Sequence, residues 1–219
     1  MTTTVQEEPT PTPGPSKKRK SVRTADRPSF QGTASPLDEQ TRREITPVLW
    51  RPGCPVPLSD LRLLRVEHWG FDGREHPGRV VVHEDHAQAM LRVMRRLWDV
   101  RFPIERMEPV NTYTGGDPAV AANNTTALNC RSVRGRPGVW SEHSYGRAID
   151  INPVRNPYIS KDGRILPAEG AAYTDRTRRS TGMIRSGDPV VVAFESIGWE
   201  WGGEWTEPVD YQHFSATGR

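Results

Sequence analysis

The stretch Ser141-Glu-His-Ser-Tyr-Gly-Arg-Ala-Ile-Asp150 holds a histidine and an aspartate seven residues apart. An odd separation puts two side chains on opposite faces of a regular strand, so one flat strand cannot aim both at the same point. The sequence therefore predicts His143 on a turn, a backbone reversal at Gly146 and a strand that begins at Arg147.

The predicted strand has one face toward the core and one face away from it. Because side chains alternate along a strand, Ala148 and Asp150 share one face, while Ile149 and Ile151 point into the hydrophobic core. With His143 delivered by the preceding turn, the two polar side chains can meet.

A second stretch, Trp199 to Phe214, adds another histidine and aspartate among glycines and tryptophans. Asp210 and His213 are three residues apart, which fits a helical turn or an irregular strand entry that aims both the same way. A catalytic zinc takes three protein ligands from His, Asp, Glu or Cys and leaves a fourth position for water. His143, Asp150 and His213 could be those ligands. Asp210 is then the candidate general base for the attacking water.

Three motifs resemble those of a known family of zinc peptidases. They are His143-x-x-Gly146-x-Ala148-x-Asp150, the Trp-Gly-Gly segment at 201–203 and Asp210-x-x-His213. They resemble the D-alanyl-D-alanine carboxypeptidase and L-alanyl-D-glutamate endopeptidase family, VanY-like in the broad sense. The likeness covers roughly Val80 to Phe214. Three further segments resemble its actinobacterial and phage-borne branch: Phe102 to Val110, Ala121 to Arg131 and Asp150 to Tyr158.

The resemblance implies a role for each residue of these motifs. His143, Asp150 and His213 would bind zinc, and Asp210 would activate water and later protonate the leaving amine. Many members also hold the substrate carbonyl or carboxylate with an arginine, on the strand that here runs from Met107 to Thr112, but this chain has Asn111 at the expected place.

Arg131 is the substitute candidate for that arginine. A guanidinium can engage an oxyanion or a carboxylate through two hydrogen bonds. The alternative for Arg131 is an ordinary surface ion pair.

The order of apolar segments predicts an α+β fold. Apolar residues recur at helical spacing from Glu84 to Trp98, Ile104 to Val110 is predicted as a strand, and Pro189 to Ile197 as a further helical run. The polar segments Asn111 to Arg136 and Tyr158 to Asp188 are predicted as long loops. We expect helices packed on a small antiparallel sheet that carries the zinc site.

Length and composition predict one domain with a tail. Residues 1–43 are rich in Pro, Thr and Lys without apolar periodicity, so they are expected to be disordered, and residues 44–219 to form the catalytic domain. The net charge of +3 is too small to argue for nucleic-acid binding by that domain, and the basic run Lys17–Lys20 is expected to be solvated. No apolar run is long enough to span a membrane, and a monomer is expected.

Other candidate residues have structural interpretations. His83 and His86 are three apart rather than four, so they do not form a zincin motif, and they fall at the start of the predicted helix. Trp199, Trp201 and Trp205 could line a substrate groove, but packing is favoured. Cys54 and Cys130 either pair in a disulfide or remain as two buried thiols.

These observations predict a zinc-dependent peptidase that hydrolyses peptidoglycan stem peptides at the bacterial cell wall. D-alanyl-D-alanine carboxypeptidase activity is favoured, because this branch resembles proteins described that way, and Arg131 and Arg147 are available for a terminal carboxylate. The alternatives are an L-alanyl-D-glutamate-type endopeptidase of the phage lysin kind, and a non-catalytic zinc-containing binding module, to which the similar Hedgehog signalling domain points. The N-terminus shows no secretory signature, so phage-type release or another export route is expected.

Overall fold

The structure is a computed structural model that describes residues 29–109, 118–133 and 135–218. Residues 1–28, including the run Lys17–Lys20, and Asn111 lie outside this range. The predicted tail boundary at residue 43 is wrong, because Gly32–Pro36 forms a strand and Glu39–Ile45 a helix. The strand lacks apolar periodicity in the sequence and is held by backbone pairing instead.

The described part of the chain forms thirteen strands, most of them short, with four α-helices distributed among them. The strands are β1 (Gly32–Pro36), β2 (Leu61–Trp69), β3 (Glu75–His83), β4 (Arg106–Met107), β5 (Asn124–Thr125), β6 (Ser132–Val133), β7 (Arg136–Trp140), β8 (Ala148–Asp150), β9 (Tyr158–Ile159), β10 (Ile165–Leu166), β11 (Glu200–Trp201), β12 (Val209–Asp210) and β13 (His213–Ser215). The α-helices are α1 (Glu39–Ile45), α2 (Glu84–Asp99), α3 (Pro118–Ala121) and α4 (Pro189–Glu195).

This composition confirms a mixture of helices and small antiparallel sheets. Within the described residues, three-stranded sheets have the orders β1-β2-β3, β10-β9-β12 and β11-β13-β8, and β4 pairs with β5 in parallel. The expectation of helices packed on a small antiparallel sheet that carries the site is confirmed only in part, because helix α4 contacts strand β11 of the sheet β11-β13-β8 but the longest helix packs on a different sheet. Helix α2 packs on β1-β2-β3, whereas the candidate ligands Asp150 and His213 belong to β11-β13-β8.

Helix α2 is the main support of the core, and its predicted extent is confirmed to within one residue. The His83 side chain caps its start by accepting a hydrogen bond from the Asp85 backbone, and Glu84 and Asp85 place negative charge in the first turn. Its buried face packs on the first sheet and on helix α4. The helix-forming pattern from Pro189 is likewise confirmed, as Pro189–Glu195.

The predicted strand from Ile104 to Val110 is mostly wrong over residues 104–109, and Val110 lies outside the described residues. Only Arg106–Met107 pairs as a strand, while Ile104 and Met107 are buried in the core. Pro103 forms an isolated parallel bridge with Trp69, and Pro109, which has no backbone N–H to donate, follows the short paired stretch.

Buried apolar residues form two clusters. The larger one joins α2 and α4 to the strands β2, β3, β8 and β13. The smaller one, here called the N-terminal apolar cluster, consists of Leu37, Ile45, Leu49, Val56, Leu61, Leu63, Val81 and Leu128, with Trp50, Leu58 and Tyr145 packed against it. Within the described ranges, no helix combines the length and the apolar character needed to cross a membrane.

Candidate metal centre

Strand pairing places two of the candidate ligands directly opposite each other. In the antiparallel pair β8–β13, His213 faces Asp150 and Phe214 faces Ile149. Ile149 and Phe214 are fully buried in the core, so His213 and Asp150 share the other face of the sheet. The strand predicted from Arg147, with Asp150 on the face away from the core, is confirmed.

The third candidate ligand comes from a turn, as predicted. His143 lies in a 3-10 turn, Glu142–Tyr145, which ends at Gly146 with φ of +65°. A Cβ at position 146 would lie 2.6 Å from the backbone nitrogen of His83, and that nitrogen donates a 2.9 Å hydrogen bond to the Gly146 carbonyl. Only glycine combines this positive φ with such close contact, so the turn rests directly on the start of α2.

Three potential ligand atoms converge to form a nearly equilateral triangle. His143 Nε2 lies 3.1 Å from His213 Nδ1 and 3.2 Å from Asp150 Oδ1, and the last two atoms are 3.1 Å apart. Ligands bound tetrahedrally at the usual zinc distances are separated by about 3.3 Å, so this donor set fits zinc. All three residues are buried, and theirs is the one group of this kind found among the described residues.

Hydrogen bonding leaves the metal-facing nitrogen of His143 unprotonated. His143 Nδ1 lies 2.6 Å from the Ala127 carbonyl oxygen, which can only accept, so the ring proton is on Nδ1. The lone pair of Nε2 is then directed at the other two donor atoms. A backbone carbonyl in this position is typical of metal-binding histidines, because it fixes both tautomer and ring orientation.

The carboxylate of Asp150 is held in its charged form. Burial alone would raise its pKa, but the electrostatic interactions with the His143 and His213 imidazoles outweigh burial and bring the pKa below its ordinary value. The charged carboxylate is the form that binds a cation.

Asp210 lies beside this triangle but is not part of it. Asp210 ends strand β12, and after a turn the chain enters β13 at His213. Of the two predicted arrangements of Asp210 and His213, the irregular strand entry is therefore correct and the helical turn is wrong. A Cβ at Gly202 would lie 3.0 Å from the Asp210 Cβ and 3.4 Å from the His213 Cβ, so glycine at this position lets the backbone pass close to both. The Trp-Gly-Gly segment thus packs directly under the site.

The environment of Asp210 favours a carboxyl group that exchanges a proton near neutral pH. Its Oδ1 atom is buried and has no hydrogen-bond partner among the described residues. Burial and the nearby Asp150 charge raise its pKa to about 7, although His213, Gln212 and Arg131 act in the opposite direction.

Arg131 contributes a small lowering of the Asp210 pKa. Its side chain is exposed, its one described hydrogen bond goes to the Ser132 carbonyl at 3.5 Å, and it makes no ion pair within the described residues. The surface ion pair considered as its alternative is therefore not formed in that part of the chain. Arg147, in contrast, pairs with Glu142 at 3.1 Å and stacks on the Tyr145 ring at 4.3 Å, so its guanidinium is already engaged.

The tryptophans divide between packing and the site. Trp199 and Trp201 are buried in the large core cluster, as the favoured packing interpretation predicts. Trp205 is half-buried, and its ring centroid lies 5.4 Å from that of His213. The sequence did not separate Trp205 from the other two, because all three occur in one short motif.

The sequence places Ala127–Arg131 within a predicted long loop but does not reveal the contacts by which this segment supports the site. Its contacts with His143 and Ser144 use backbone atoms, which leave no residue-type pattern to detect. Cys130 is the one residue in this segment whose type could have indicated a structural role. Of the two alternatives for the cysteines, the structure has the disulfide: Cys54 and Cys130 are bonded, with their Cα atoms 5.9 Å apart.

A buried triangle of two imidazoles and a carboxylate, beside a second carboxyl group with a raised pKa, has the geometry of a hydrolytic metal centre. Comparison with known families agrees: residues 134–216 match the model of a family described as D-alanyl-D-alanine carboxypeptidase. That range contains the triangle and Asp210 but not Arg131. It supports a metallopeptidase of this general type. Searches of curated proteins and of solved structures gave no match.

Proposed function

We propose that this protein is a zinc-dependent peptidase that hydrolyses peptidoglycan stem peptides, with D-alanyl-D-alanine carboxypeptidase as its main activity. The observation that carries the proposal is the His143–Asp150–His213 triangle with the Asp210 carboxyl beside it, whose Oδ1 atom has no hydrogen-bond partner among the described residues. A purely structural zinc site normally takes four protein ligands. Three donors with an adjacent carboxyl group suit catalysis better.

In this proposal His143, Asp150 and His213 hold the zinc ion. When bound, zinc supplies a Lewis acid that polarises the scissile carbonyl and lowers the pKa of water toward neutrality. The protein contributes fixed ligand orientation, through the Ala127 carbonyl on His143 and the strand register that sets His213 against Asp150.

Asp210 acts as the proton carrier. Its carboxylate takes a proton from the attacking water and later gives a proton to the nitrogen of the leaving amine. A pKa of about 7 suits both steps near neutral pH, because the charged and neutral forms are both populated.

Arg131 would select substrates with a free terminal carboxylate. Its guanidinium is exposed, unpaired in the described structure and close enough to influence Asp210. A carboxypeptidase must recognise this terminal group, whereas an endopeptidase needs an open groove around an internal bond. We therefore favour release of the terminal D-alanine by a monomeric enzyme at the cell wall, with cleavage of an internal stem-peptide bond as the alternative.

The test is hydrolysis of a stem pentapeptide ending in D-Ala-D-Ala, with mass spectrometry of the products before chelation, after chelation and after return of zinc. Release of one alanine that is lost and restored with zinc is the expected result. A zinc-dependent internal cut would identify an endopeptidase. Absence of product from both peptide and intact wall, with zinc bound, would favour a binding module without turnover.

A further inference from the structure

One edge of the segment Ala127–Arg131 forms hydrogen bonds with the turn that carries His143. The Ala127 carbonyl accepts from His143 Nδ1, and the Asn129 nitrogen donates to the His143 carbonyl at 3.1 Å. Ser144 is fully buried, and its hydroxyl accepts from the Arg131 nitrogen at 2.9 Å and lies 2.7 Å from the Arg131 carbonyl. The odd-numbered residues of the segment therefore hold the candidate ligand in place.

The even-numbered residues of the same segment face the opposite way, as expected of an extended chain. The Leu128 nitrogen donates to the Val81 carbonyl, and its side chain belongs to the N-terminal apolar cluster. The Cys130 nitrogen donates to the Leu49 carbonyl at 2.9 Å, and the Arg51 side chain donates to the Cys130 carbonyl at 2.7 Å.

The disulfide fixes this second edge covalently. Cys54 belongs to the stretch 46–57, which contains neither helix nor strand, so it offers a weak support by itself. The disulfide between Cys54 and Cys130 joins the stretch 46–57 to the segment 127–131, which is hydrogen-bonded to His143. Cys54, Cys130 and the whole segment 127–131 lie outside residues 134–216, so the family match does not account for them.

We propose that Ser144 and the Cys54–Cys130 disulfide act together as positioning residues for His143, so that metal affinity depends on the oxidation state of the two cysteines. The inference rests on the proposed metal site. Forming the disulfide removes two electrons and two protons from the thiols, which a disulfide oxidant such as oxidised glutathione accepts. In the dithiol form the outer edge of the segment loses its covalent support, and the Ala127 carbonyl no longer holds the imidazole at a fixed orientation.

The experiment compares zinc dissociation constants, by competition with a chromophoric chelator, for the full chain and three variants. Cys54→Ala/Cys130→Ala removes the disulfide without leaving thiols that could bind zinc, and Ser144→Ala breaks the inner contact while keeping the disulfide. Val56→Ala is the matched control, since Val56 packs in the same apolar cluster but has no hydrogen bond to the segment. Thiol titration of the full chain verifies that its cysteines are paired.

Loss of a group that orients a ligand typically weakens metal binding by about 10- to 100-fold, and we expect losses in this range for both the cysteine pair and the Ser144 variant. The control should stay within about twofold of the full chain. The visible spectrum of the cobalt-loaded proteins should change in the same two variants, because it reports ligand geometry.

Two results would overturn the inference. One is unchanged zinc affinity and an unchanged cobalt spectrum in either Ser144→Ala or the folded cysteine variant, and the Ser144→Ala result decides the matter even if the cysteine variant does not fold. The other is an equal loss in Val56→Ala, which would show a general effect of stability. If the unaltered chain fails to bind zinc, the proposed metal site itself is wrong, and the two failures are thereby distinguished.

Discussion

Two groups of buried polar side chains, one around Asn152 and one around Asp150, differ in how completely they are hydrogen-bonded. In the first group, Asn123, Asn152 and Asn156 are almost fully buried, and the oxygen and nitrogen of each amide are paired. In and beside the metal centre, four buried atoms have no partner among the described residues: Asp210 Oδ1, Gln212 Oε1, His213 Nε2 and Ser215 Oγ. Because an unpaired buried polar group costs free energy, such atoms persist where a ligand satisfies them or where chemistry requires them.

The comparison therefore separates a structural cluster from a functional one. The asparagines connect loops that have little regular structure: Asn152 bonds to Pro103 and Gly182, and Asn123 accepts from Val154. The metal centre is held by its outer contacts, such as the Ala127 carbonyl, and leaves its inner atoms available. Substitutions in the first cluster should reduce stability, and those in the second should reduce activity.

The largest expected effect on activity is that of Asp210→Asn. The amide keeps the shape of the side chain but cannot carry the proton, so kcat should fall by about 10²- to 10⁴-fold. Bound zinc, measured by metal analysis, should remain at the level of the unaltered chain, because Asp210 is outside the triangle. Glu204→Gln is the matched control, a neighbouring exposed carboxylate that should be silent. Full activity in Asp210→Asn would remove the base assignment.

The converse test is Asn156→Ala in the structural cluster. The Asn156 amide donates to the carbonyls of Ile151, Asn152 and Gly182, and its oxygen accepts from Arg176 and the Ile184 nitrogen. Leaving these groups unpaired should lower the free energy of unfolding by roughly 3 kcal/mol, measured by denaturant titration.

Gln212→Met, beside the candidate metal centre, is to be compared with Asn156→Ala by its effect on the free energy of unfolding. Gln212 is also a buried amide, but its oxygen has no partner in the described structure, so replacing it should lower the unfolding free energy by only about 1 kcal/mol, through loss of the Gln212 hydrogen bond to Asp210. Equal losses from the two substitutions would mean that hydrogen-bond completeness does not distinguish the clusters.

Arg131→Ala should have a smaller, substrate-dependent effect. Losing a charge-assisted bond to a terminal carboxylate should lower kcat/KM by roughly 10- to 100-fold for a peptide with a free C-terminus. The same peptide with an amidated C-terminus should be hardly affected. Arg136→Ala, another exposed arginine on the adjacent hairpin, serves as control. An equal loss with both peptides would assign Arg131 to the scissile carbonyl instead.

How much the sequence could predict depended on the kind of contact. The turn, glycine reversal and strand around His143 and Asp150 were predictable, because side-chain alternation and glycine geometry are local properties. The helix from Glu84 was predictable from its apolar period.

Contacts between distant segments were not predictable in this way. Strand β1 is held by pairing with β2 rather than by apolar periodicity, so it was assigned to the tail. Ala127 orients His143 through a hydrogen bond to its backbone carbonyl, a group that any residue could supply. Helix α2 packs on the sheet β1-β2-β3, whereas Asp150 and His213 lie on the sheet β11-β13-β8. This arrangement likewise depends on pairing between residues far apart in the chain.

The smallest expected effect concerns Asp38, whose situation is the reverse of that of Asp210. Asp38 is exposed and fully engaged: it caps helix α1 by accepting from the Thr41 nitrogen at 2.7 Å, and Arg65 donates to it at 2.9 Å. The hydrogen bonds from Thr41, followed by that from Arg65, lower its pKa to about 2. A carboxylate with a lowered pKa adds stability above its unfolded pKa of about 3.9, and this contribution is lost as the pH falls toward 2.

Asp38→Ala should therefore lower the thermal unfolding midpoint by a few degrees at pH 6, and the difference from the unaltered chain should shrink as the pH is lowered from 4 toward 2. Asp60→Ala is the control, since Asp60 is a partly exposed aspartate of the N-terminal region that caps no α-helix. No loss in Asp38→Ala at pH 6 would mean that helix α1 adds little to the fold. A loss that grew in acid would contradict the lowered pKa, because protonation would then have to strengthen the cap.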